Sequence, residues 1–144
     1  MTRFLALLLL IGAISLTFLW LGNQHTIDFV LLEGPWAEDV PKGDGLRASL
    51  YFSDGQVGWT SMHYTDGQPV IGHSKRYKVK LNADATPKEI TFISIDEGRP
   101  ETRVGVYELN GDVLKLAIAD DDRIPKNVDD KAATVYLLKR IKKE

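Results

Sequence analysis

The sequence predicts an all-β domain, an antiparallel up-and-down meander of about eight strands closing into a small barrel, behind one N-terminal hydrophobic helix. Three observations predict it. Asp54-Gly55, Asp66-Gly67 and Asn110-Gly111 are the residue pairs that tight hairpin turns demand, because they accept φ > 0. Apolar and polar residues alternate beside those turns, the signature of strands with one buried face. From Ile27 onward no stretch keeps an apolar period of 3.6 for the ~10–12 residues that identify a helix. Without helices to make parallel crossovers, strands joined by short turns run antiparallel. Closure then removes the exposed edges that an open sheet would have to protect. A small β-sandwich is the second choice, with corners at Glu33 to Trp36 and at Pro41 to Gly45.

The first element in chain order is the run from Phe4 to Gly22, which carries no charge and approaches the ~20 residues a helix needs to cross a bilayer core. Arg3 precedes it and no Lys or Arg follows until Lys42, so the positive-inside bias leaves the N-terminus in the cytoplasm and carries the rest outward. Ala13-Ile14-Ser15 fits a signal-peptidase site. Cleavage there would leave Leu16, Phe18, Leu19, Trp20 and Leu21 as an apolar start to the mature chain. Trp20 also suits the aromatic belt of an anchored helix. An uncleaved anchor is therefore the first reading, with a removed signal peptide and a secreted or periplasmic domain as the second. Residues 1–26 are assigned to this segment and residues 27–144 to the barrel.

Strands are expected near 28–33, 46–53, 56–64, 74–82, 89–96, 102–109, 112–118 and 133–141. Pairing across Asp54-Gly55 sets Phe52 against Val57 and Leu50 against Trp59 on one face, with Tyr51 and Thr60 on the other. The Asp66-Gly67 hairpin is a weaker signal, since Pro69 and Gly72 interrupt the returning strand. Pairing outward from Asn110-Gly111, as a type I′ turn, sets Leu109 against Asp112, Tyr107 against Leu114 and Gly105 against Leu116. Tyr107, Leu109, Leu114, Leu116 and Ile118 then share the dry face, while Glu108 and Lys115 take the wet one. Residues 120–131 are expected to form a charged loop or a short helical turn before the last strand.

Composition removes several function classes. A net charge of −2 leaves no basic excess to neutralise phosphates, so no nucleic-acid partner is expected. Zero cysteines exclude disulfides, thiol catalysis, Cys-ligated zinc and the acylated cysteine of a lipoprotein.

Four segments together resemble a known family. LLEGPW at Leu31 to Trp36, LYFSDGQV at Leu50 to Val57, RYKVKLNADATPKEI at Arg76 to Ile90 and GVYELNGDVLKLAIA at Gly105 to Ala119 occur in order. Arg123, Pro125 and YLLKR at Tyr136 to Arg140 follow them. This pattern resembles the lipocalin-like domain of unknown function abundant in planctomycete-type bacteria. It departs in Pro35 ahead of Trp36, in Ala117 where cysteine is common, and in a longer segment around Gly67 to Ser74. The resemblance implies a barrel with room for a cavity and brings no catalytic residues with it.

His63 and His73 invite a metal reading. With a two-residue turn at Asp66-Gly67, however, His63 opposes Val70 and His73 opposes Thr60, which puts the rings on opposite faces. His25 sits beside the hydrophobic run, where it is read as solvated. Asp120, Asp121, Asp122, Asp129 and Asp130 offer oxygen ligands, but their spacing is not that of an EF-hand, and a solvated loop is the reading adopted over weak calcium association. Ser61 and Ser74 with the histidines lack any nucleophile motif, and Glu33, Asp39, Glu89 and Glu97 lack a reason to pair as acid and base. No enzyme activity, cofactor or metal is expected. Trp59, Tyr77, Phe92 and Tyr107 point inward on their predicted strands and are the candidates for lining a cavity, though in a barrel this size such residues can equally fill it. The function expected is a non-enzymatic, membrane-associated, extracytoplasmic binding module for a small apolar ligand. The alternative is a structural or interaction module for another envelope protein.

Overall fold

The computed structural model describes residues 27–96, 98, 100–121 and 123–142. The run from Phe4 to Gly22, with the anchor and signal readings attached to it, lies outside the described residues, as do His25, Glu97 and Asp122. Among the described residues no helix is long and apolar enough to cross a membrane.

Eight strands form the domain: β1 (Gly34–Ala37), β2 (Gly45–Ser53), β3 (Gln56–Thr65), β4 (Gln68–Asn82), β5 (Glu89–Ser94), β6 (Thr102–Asn110), β7 (Val113–Ala119) and β8 (Ala133–Arg140). Each pairs antiparallel with the next, and β8 returns to β1, so the sheet is a closed barrel rather than a sandwich. Fifteen buried residues, among them Trp36, Leu50, Phe52, Phe92 and Leu116, form one continuous core. A second, smaller cluster lies outside the wall, where Val128 of the β7–β8 loop covers Val106 and Ala117.

The first expected strand is a helix. Residues 27–32 are helical, and the strand begins after them at Gly34. A short apolar run does not distinguish strand from helix by periodicity. Gly34, at φ +103°, supplies the positive-φ residue that commonly ends a helix. This helix closes one end of the barrel. Arg140 of β8 caps it, donating from Nη1 to the Glu33 carbonyl at 2.7 Å and from Nη2 to that of Leu31, with its guanidinium 4.2 Å from the centroid of Trp36. Trp36 is fully buried and donates its indole N–H back to the Leu32 carbonyl at 2.7 Å.

Asp28, on the same helix, is only 4% exposed. Its Oδ2 accepts the Tyr107 hydroxyl at 2.5 Å and the Lys88 ammonium at 2.8 Å. Burial, reinforced by this contact with Asp28, raises the Tyr107 phenol far above its ordinary range. The helix is thereby tied to β6 and to the β4–β5 loop.

The β2–β3 hairpin has the expected register, with Phe52 opposite Val57 and Leu50 opposite Trp59 across a turn whose Asp54 and Gly55 both have φ > 0. The β6–β7 hairpin does not. Asn110 still belongs to β6, opposite Val113, so the turn is Gly111-Asp112 with φ > 0 at Gly111 alone, the mark of a type II′ turn. Leu109 therefore opposes Leu114, Tyr107 opposes Leu116 and Gly105 opposes Ile118. A slip of two residues keeps every side chain on its face, so the predicted dry set is still the buried one.

β4 starts at Gln68 and runs straight through Pro69 and Gly72, earlier than expected. Its pairing with β5 begins only at Tyr77, with Arg76 held just beyond it by Ile95 N–H and by the Asp96 carboxylate, so residues 68–75 pair with β3 alone and leave their other edge free, where a proline costs no ladder bond. The β3–β4 ribbon thus extends past the barrel wall at the end opposite the helix.

Gly111→Val should lower stability by about 1–3 kcal/mol, because a β-branched residue is strained at φ > 0. Gly111→Asn should lose much less, Asn tolerating that conformation. Urea denaturation midpoints measure both, and equal midpoints for Val and Gly would contradict the turn. Removing the buried carboxylate by Asp28→Ala should strand the Tyr107 hydroxyl and cost about 1–3 kcal/mol. In the Asp28→Ala, Tyr107→Phe double variant, part of that loss should return.

Candidate functional site: a pocket at the open end of the barrel

The four predicted lining residues are all buried in the core, but they do not all meet. Trp59 packs edge-on against Tyr77 and Phe92, with centroids 6.3 Å and 5.5 Å away, and Tyr77 against Phe92 at 6.0 Å. Tyr107 stands apart, held by Asp28 beneath the helix. Phe92 is fully enclosed. Of the four, Trp59 and Tyr77 line a cavity among the described residues.

That cavity has a volume of about 150 Å³ and is lined by Trp59, Ser61, His73, Lys75, Tyr77, Arg103 and Tyr136. It lies toward the end that carries the β3–β4 turn and the β5–β6 loop, away from the helix. Tyr136, which sequence reasoning missed, stacks edge-on to Trp59 at 5.1 Å. Its place was legible in principle, because β8 alternates Tyr136 with Leu138 on the core side, opposite Leu116 and Leu114. Burial raises the phenols of both Tyr77 and Tyr136, keeping them neutral hydrogen-bonding groups.

The rim is charged. Glu101, at the end of the β5–β6 loop, accepts from Lys75 Nζ at 3.0 Å and from Arg103 through Nε at 2.6 Å, with Nη2 at 2.5 Å. Hydrogen bonds from Lys75 and then Arg103 hold the Glu101 carboxyl below its usual range, and the bond to Glu101 raises Lys75 in turn. All three side chains are partly exposed, so the pairs themselves contribute little to stability. Two cations share one protein carboxylate beside an aromatic floor.

The histidines differ from expectation. A register shift after His63 places it opposite Ile71, and His73 opposite Ser61, so both rings stand on one face of the ribbon instead of two. Only His73 lines the pocket. Ser61 and His73 are cross-strand neighbours there, yet among the described residues no hydrogen bond joins them. No group of three or more His, Asp or Glu among the described residues could hold a metal ion.

The acidic β7–β8 loop is held by its own contacts. Asp121 pairs with Arg123 at 3.2 Å and Asp129 with Lys115. Asp130 accepts from the backbone N–H groups of Lys126 and Ala132 at 2.9 Å and 3.0 Å, and from Arg123 at 2.9 Å. Comparison of the chain with protein-family models, curated proteins and solved structures gives no match.

Those backbone bonds, followed by Arg123, hold the Asp130 carboxyl well below the ordinary carboxylate range. Because the folded-state value lies under the unfolded one, the carboxylate stabilises the fold above about pH 4, and that contribution fades as pH falls below it. Denaturation midpoints of wild type and Asp130→Asn should therefore differ at about pH 6 and converge toward about pH 2. A gap constant across that range would contradict it.

Proposed function

We propose that the protein is a membrane-associated, extracytoplasmic binding module of lipocalin-like build that takes a small ligand with an apolar body and carries out no covalent step. The observation that carries this reading is the pocket floored by Trp59, Tyr77 and Tyr136 at one end of an otherwise filled barrel. A cavity of about this volume encloses a single benzene ring. The ligand is therefore ring-sized and sits in the mouth. The eight-strand meander, together with the four segments from Leu31 to Ala119, supports the lipocalin-like assignment. The uncharged run from Phe4 to Gly22 supports membrane attachment. With that run as anchor, the helix-capped end lies nearest the chain's attachment and the pocket opens away from it.

A second reading, an interaction module for another envelope protein, is favoured by one observation. Leu46, Val70 and Ile71, each more than half exposed, lie on the strands beside or within the projecting β3–β4 ribbon.

Three ring-sized probes test the first reading: benzyl alcohol, benzoate and benzylamine, titrated into the full-length chain with tryptophan emission as readout. At least one should change the emission saturably, and Trp59→Phe should abolish that change. A flat response to all three, or a response that survives Trp59→Phe, would overturn the pocket and leave the ribbon surface as the better reading.

A further inference from the structure

Resting on the pocket reading above, we infer that the ligand is a small aromatic monocarboxylate, whose carboxylate takes the place of Glu101 between Lys75 and Arg103. The pocket's own geometry separates a floor from a rim. The floor is aromatic: Trp59 meets Tyr136 and Tyr77 edge-on, which leaves ring edges and faces for one further ring. Both cationic side chains of the lining, Lys75 and Arg103, stand on different strands and converge on one point, the Glu101 carboxylate.

Glu101 marks where a carboxylate fits. Arg103 directs Nε and Nη2 at one carboxylate oxygen, Oε1, and Lys75 takes the other, Oε2, so the two cations together engage both oxygens of a single carboxylate. The arrangement is exchangeable. Glu101 reaches the pair from a loop and is a third exposed, so leaving it for solvent forfeits little, while an incoming carboxylate restores the same donors. The ring brings the gain, through burial on the aromatic floor. Other charges at this end are already engaged or set aside. Asp96 binds Arg76, Asp121 binds Arg123, and Asp120 lines a neighbouring depression with Glu101 and Arg103.

Charge removal at constant ring size tests this, using isothermal titration of the full-length chain with benzoate, benzyl alcohol and benzylamine. Benzoate should bind about tenfold or more tightly than benzyl alcohol, and benzylamine most weakly. Arg103→Gln and, independently, Lys75→Gln should each shrink the ratio of benzoate to benzyl alcohol affinity several-fold. Glu101→Gln should tighten benzoate, because the internal competitor no longer neutralises the cations. Circular dichroism melts identify any variant that fails to fold, and Lys75, more than half exposed, is the change least able to disturb the wall. If all three probes bind equally, the pocket stands and the carboxylate assignment is overturned. Binding by none overturns both. Weakened benzoate binding in Glu101→Gln would make Glu101 part of the site's support and would also overturn the exchange.

Discussion

The barrel depends on how its shortest strand is held. β1 has four residues, and Trp36 and Ala37 pair with β8 to close the sheet, with one further backbone bond from Ile141 N–H to the Pro35 carbonyl at 3.0 Å. So short a seam relies on what packs behind it. Trp36 fills the interior there, binds the carbonyl of Leu32 through its indole and carries the Arg140 guanidinium over its ring. Arg140 in turn satisfies carbonyls at the helix end that would otherwise lack partners. One aromatic–cation contact therefore joins first strand, last strand and helix, and the N-terminal helical turn is part of the fold instead of a tether to it.

Closing one end this way fixes where space remains. The helix, Trp36 and the buried Asp28 to Tyr107 contact fill the first end of the barrel, and the core extends through Phe92. Strand lengths do the rest. β4 is far longer than β1, so the wall rises on one side only, and the cavity opens beneath that rise between β3, β4, β6 and β8. The polar residues of the site stand on the rim because the aromatic cluster occupies everything deeper.

Much of this was legible in the sequence where the signal was local. The Asp54-Gly55 turn set the β2–β3 register because both turn residues adopt φ > 0. At Asn110-Gly111 the same reasoning slipped by two residues, and the core face survived because side chains alternate with period two. The sequence reads 28–33 as strand because six apolar-rich residues fit either element, and the Arg140 cap, distant in sequence, with the Trp36 indole bond back to Leu32, decides for helix. The bulge beside His63 brought the two histidines onto one face for a similar reason: nothing local announces an unpaired Val70. Trp59 and Tyr77 were legible as lining residues. Lys75, Arg103 and Glu101 were not, since their convergence requires the register of three strands and a loop at once.

The free edge of β4 has a consequence beyond the pocket. A strand whose outward backbone donors and acceptors have no neighbouring strand over residues 68–75 is a template on which a second chain could add, the route by which sheet proteins aggregate edge to edge. This stretch carries its own safeguards. Pro69 removes a donor, and the register shift at His63 breaks the regular spacing. Both features disfavour the edge-to-edge addition of a further strand to the ribbon.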